Sequence, residues 1–130
     1  MISRRLLQAV VLLLSLIPLA FGGLGLAFGA GRLSAPEITA ALDSQFRFMA
    51  GWYLALAMLC WWIMPRIERE TAVFRIVCAA VFLGGVGRLL SIAAHGWPPA
   101  HMVAGLTLEL AVPLLVWWQA SVARNNAAHV

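Results

Sequence analysis

From Leu6 to Gly29 the chain carries no charged residue, and the stretches Gln45–Met64, Ala72–Ala94 and Ala100–Val122 are nearly as apolar. Each has about the 20 residues that a helix needs to cross the hydrocarbon of a bilayer. Backbone inside lipid must satisfy its own hydrogen bonds, so runs of this length have to be helical. The chain has 130 residues, of which 63% are hydrophobic and 11% charged. A soluble domain averages about half and about a quarter. A soluble chain this short could not bury so much apolar surface, so lipid must cover part of it. The sequence therefore predicts one all-α domain over residues 1–130, an integral membrane four-helix antiparallel bundle.

The breaks between the runs are sharp. Ser3-Arg4-Arg5 precedes the first run, which is too long for the apolar core of a typical signal peptide and is read as a span. Pro18 is expected to kink it, and Gly22, Gly25 and Gly29 offer a smooth strip for another helix. Ala30–Leu42 reads as a loop, with Pro36–Leu42 a candidate short interfacial helix. Asp43-Ser44 is expected to cap the second span, which ends at Pro65. Arg66–Glu70 is a charged turn, and His95-Gly96-Trp97-Pro98-Pro99 stops the third span. Trp61-Trp62 and Trp117-Trp118 stand at span ends, as interfacial aromatics do.

Net charge is +4, and every basic residue is arginine. Arg4, Arg5, Arg66, Arg69, Arg75 and Arg124 collect on one predicted side, Arg32 and Arg47 on the other. The positive-inside rule then makes both termini cytoplasmic. The arginines stand singly at segment ends and form no stripe for a phosphate backbone, so no nucleic-acid partner is expected. Cys60 and Cys78 fall inside apolar runs and read as buried free thiols. A structural disulfide or a CxxC zinc site is not expected.

One arginine lies well inside a run. Gly84, Arg88, Ser91 and His95 share a helix face by their spacing. Arg88 is roughly 10 Å below His95, and Glu109 roughly 12 Å below His101, at the helical rise. The depths match, so Arg88 and Glu109 are expected to pair, which offsets the cost of two charges in hydrocarbon. Asp43 and Arg47, one turn apart at the start of the second span, are expected to pair as well, with Gly51 leaving room beneath. If Arg47 points inward, Asp43, Arg47, Arg88, Ser91, His95 and Glu109 form one ligand-binding polar pocket. The pairs could equally be glue that sets helix register. His95, His101 and Glu109 have the chemistry of metal ligands, yet the histidines only flank a Pro-Pro turn. No metal, no cofactor and no catalytic residue is assigned, because no nucleophile elbow, phosphate loop or CxxC occurs.

Several motifs occur together. They are Leu42-Asp43-Ser44-Gln45-Phe46-Arg47-Phe48 with Gly51, Pro65-Arg66-Ile67-Glu68-Arg69, Phe82-Leu83-Gly84-Gly85, and Arg88-Leu89-Leu90-Ser91. Gly96-x-Pro98, Glu109-Leu110, Pro113 and Trp118-Gln119 follow. In order and spacing, from Arg4 to Arg124, they resemble a family of small bacterial membrane proteins known only as domain of unknown function number 4345. The resemblance implies a four-helix membrane protein and no known activity, and the expected location is the bacterial inner membrane. A looser, fold-level similarity is to the DoxX-like group and to the small endoplasmic-reticulum protein that tethers sterol-biosynthesis enzymes.

The leading functional expectation is a non-enzymatic protein. It would bind membrane lipid, a lipid-like or small apolar ligand, or scaffold a membrane-protein partner or a second copy. One alternative is a membrane enzyme with Glu109 as acid/base and Arg88 or Arg47 holding an anion. Another is a small proton-coupled transporter.

Overall fold

A computed structural model describes residues 2–33 and 35–128. Ser34, in the predicted first loop, lies outside the described residues. Every regular element among them is helical. Helix α1 covers Ile2–Phe28 and runs unbroken through Pro18. A 3₁₀ turn follows at Gly29–Arg32. Then come α2 at Ala40–Ile63, a 3₁₀ turn at Met64–Arg66, and α3 at Thr71–His95. The chain ends with α4 at Ala100–Ala111 and α5 at Pro113–Ala127. These make four stretches long and apolar enough to cross a membrane, α4 and α5 together forming the fourth. The protein is a multi-pass membrane protein.

Three boundaries differ from the sequence expectation. Residues 37–39 carry no helix, so the short interfacial helix is absent as a separate element, and α2 simply begins early. Its N-cap is Thr39, whose hydroxyl accepts the Leu42 N–H at 3.1 Å, so Asp43 is one turn inside the helix rather than its cap. The last span is broken at Val112. Pro113 has no N–H to return to the Glu109 carbonyl, so the ladder is interrupted there and closes through a tighter bond from Leu115 N to Val112 O.

The chain divides into two compact units. One is Gln8–Pro65. Here α1 and α2 pack closely because glycine faces the crossing: a Cβ at Gly22 would lie 2.8 Å from the Ala50 carbonyl oxygen, and one at Gly25 2.7 Å from Ala50 Cβ. The glycine strip is thus a contact surface, as its spacing predicts. Ser15, buried inside α1, donates to Leu12 O and accepts from Trp61 Nε1 at 2.8 Å. Farther along, Gln8 Nε2 donates to Met64 O. Such bonds tie helices where the hydrophobic effect cannot, since lipid is as apolar as leucine.

The other unit is Met1–Leu7 with Arg66–Val130. In it α3 packs on α4 and α5. Phe74, Val77, Cys78 and Gly85 are the buried residues of α3, and their spacing keeps them on one stripe. Gly96, in the left-handed region at φ 88°, ends α3. Polar ties gather at the arginine-rich end. Arg4 Nε meets Glu68 Oε2 at 2.8 Å, and Trp118 Nε1 donates to Ser3 Oγ at 2.9 Å. Gln119 is fully buried and donates to Ile67 O and Thr71 Oγ1 at 2.8 and 2.9 Å.

Candidate functional site

Two acid–arginine pairs lie within the spans, one in each unit. Asp43 and Arg47 stand one turn apart on α2, and Arg47 Nε donates to Asp43 Oδ2 at 2.8 Å. Asp43 Oδ1 accepts the Ala30 N–H at 2.8 Å. Arg47 Nη1 donates to the carbonyl of Leu26. That carbonyl lies in the last turn of α1, where no intrahelical N–H remains to serve it and where the helix dipole favours a cation. The pair therefore ties the end of α1, the 3₁₀ turn and the start of α2 together. Gly29 makes this possible. Its φ is 60°, and any Cβ there would run into Asp43 Oδ1 and lie 2.6 Å from Arg47 Nη2.

The second pair joins α3 to α4. Arg88 Nε lies 2.9 Å from Glu109 Oε2 and donates a hydrogen bond to Oε1 at 3.1 Å. The helices approach closely because Gly85 sits one turn below Arg88: a Cβ there would be 3.1 Å from Glu109 Cβ. The pairing agrees with the match in depth read from the sequence. What the sequence does not foretell is how few bonds the pair makes. Oε2 is buried and off the N–H direction, so it accepts no hydrogen bond among the described residues. Neither Nη of Arg88 has a partner among the described residues, although 35% of the side chain is exposed.

The remaining expected site residues, Ser91 and His95, stand on α3 with Arg88. Ser91 and His95 are exposed and make no side-chain hydrogen bond among the described residues. His101 is exposed too, and no cluster of three His, Cys, Asp or Glu side chains is found among the described residues. Beside Arg88 the surface is open, since a Cβ at Gly84 or Gly87 would meet nothing within 4 Å. Two buried polar residues have no packing role assigned by the sequence, Ser15 and Gln119. The available signal was a polar side chain inside an apolar run. Gln119 Oε1 is buried without a hydrogen bond, as is Glu109 Oε2.

Chemically, the Arg88–Glu109 pair is close to neutral as a unit yet rich in unused donors. It can hold an oxygen acceptor through the two Nη groups. Among the described residues, the one side chain bonded to Glu109 is Arg88. Residues 6–119 match the sequence model of a family described as "Domain of unknown function (DUF4345)". No curated protein and no solved structure matches the chain.

Proposed function

The chain belongs to the DUF4345 family, a description that carries no activity, and we propose that it is a non-enzymatic membrane protein that holds a lipid-like ligand at Arg88–Glu109. The supporting observation is the unspent half of the Arg88 fork. A guanidinium roughly 10 Å inside a span with neither Nη hydrogen-bonded among the described residues is costly in hydrocarbon. A ligand oxygen beside it would lower that cost. Because Glu109 already balances the charge, an uncharged head with carbonyl or hydroxyl oxygens fits better than an anion. The open surface at Gly84 and Gly87 leaves room for the apolar body. The arginine asymmetry supports a topology with both termini cytoplasmic, and the bacterial inner membrane is proposed as the location.

The test compares a short-tailed benzoquinone with an alkylbenzene of equal carbon number, added to detergent-purified protein. The quinone is expected to raise the melting temperature and the hydrocarbon to leave it unchanged. Arg88→Gln should remove the difference. A response shared by both compounds, or one that Arg88→Gln preserves, refutes this reading. A disulfide formed between two copies of Gly84→Cys would instead identify a second copy as the occupant.

A further inference from the structure

Along α2 runs an open groove lined by Arg47, Phe48, Gly51, Trp52 and Ala55. Their spacing keeps the groove on one face of one helix. Phe48 and Trp52 stand edge to face with ring centroids 6.2 Å apart. They are 60% and 62% exposed, so neither ring is spent on packing the protein's own core. Gly51 makes a notch in the groove, because a Cβ there would meet nothing within 4 Å.

Arg47 closes the groove at one end. Its Nε and Nη1 are fixed by Asp43 and the Leu26 carbonyl, which hold the guanidinium in place. Nη2 has no hydrogen bond among the described residues. The Arg47 and Asp43 side chains are 42% and 33% exposed, and Nη2 lies beside Gly29, 2.6 Å from where a Cβ would stand. Helix α2 has 24 residues. A crossing uses about 20 of them, which sets Arg47 near the boundary between hydrocarbon and headgroups.

We propose that this groove binds a zwitterionic phospholipid whose headgroup carries a primary ammonium. Its phosphate accepts from Arg47 Nη2, its ammonium donates to Asp43, and one acyl chain lies over Gly51 beside Trp52. Charge complementarity selects the head. Arg47 and Asp43 together are neutral, so a net anionic lipid gains little. A zwitterion instead offers an opposite charge to each of them. A quaternary ammonium has no N–H to donate and loses the second contact. This proposal does not depend on the reading given to Arg88–Glu109.

Delipidated protein in detergent is offered mixed micelles of phosphatidylethanolamine, phosphatidylcholine or phosphatidylglycerol, and retained lipid is counted by native mass spectrometry. Phosphatidylethanolamine should be retained about tenfold better than the others, the factor expected of one charge-assisted hydrogen bond. Gly51→Phe fills the notch while leaving both charged side chains in the sequence, and should bring retention down to the phosphatidylcholine level. Arg88→Gln should leave it unchanged. Should Gly51→Phe lower the melting temperature, Ala55→Phe, at the other end of the groove, is read in its place. Equal retention of the three lipids, or full phosphatidylethanolamine retention by the groove-filling variant, overturns the proposal.

Discussion

Asp43–Arg47 and Arg88–Glu109 use the same residue types in the same kind of surroundings, yet their bonds are distributed differently. In the first pair both carboxylate oxygens accept, and the arginine serves a carbonyl as well as its acid. Two of its partners are backbone groups left over at helix ends. In the second pair one N–H meets one oxygen, and the other donors and the other oxygen have no hydrogen-bond partner among the described residues. A salt bridge in a membrane span is thus not a single category. One that is filled by backbone groups is explained by the fold. One that is left half used needs something else to complete it.

The largest expected effect comes from breaking the half-used pair on one side. Glu109→Leu leaves Arg88 alone inside a span and should cost about 3 kcal/mol, the order found for an arginine at mid-membrane. Thermal unfolding in a fixed detergent would measure it. The double variant Arg88→Leu with Glu109→Leu should recover most of that loss, since two apolar side chains can replace a neutral pair. It should also lose the quinone response. A double variant as unstable as the single one would show that the pair has further partners.

A smaller loss is expected from Asp43→Asn, which removes the charge from two hydrogen bonds in a partly exposed setting. Here the double variant should behave in the opposite way. Replacing both Asp43 and Arg47 with leucine strands the Ala30 N–H and the Leu26 carbonyl, so stability should fall further. Hydrogen exchange would localise the opening to residues 26–47. Recovery in this double variant would mean that the backbone contacts count for little.

The two pairs also differ in how far the sequence reveals them. Four spans follow from the length of four apolar runs, because lipid leaves the backbone no other choice. Arg88 and Glu109 could be matched by counting residues from a shared turn, since depth in a helix is linear in sequence. Asp43 was harder. Its role depends on Gly29 taking φ 60° and on α1 ending where Arg47 can reach it. Those are facts of packing between segments, invisible to local spacing. Thr39 took the cap that Asp43-Ser44 suggested, because the chain turns helical one turn earlier. The break at Pro113 was legible in principle, as was Gln119. Proline was read there as part of a motif rather than as a missing N–H.

The smallest expected effect lies beside the half-used pair. Ser91 shares the face of Arg88, and its hydroxyl has no hydrogen bond among the described residues. Ser91→Ala should therefore change stability by less than about 0.5 kcal/mol in empty protein, as exposed substitutions without a partner do. With the quinone bound, Ser91 lies about one turn from Arg88 toward His95 and can donate to a second oxygen of the head. The same substitution should then reduce the ligand-induced rise in melting temperature while leaving the empty protein's value in place. If both values move together, Ser91 is a structural residue and the head does not extend that way. If neither moves, the ligand touches Arg88 alone, and its body leaves the helix toward Gly84.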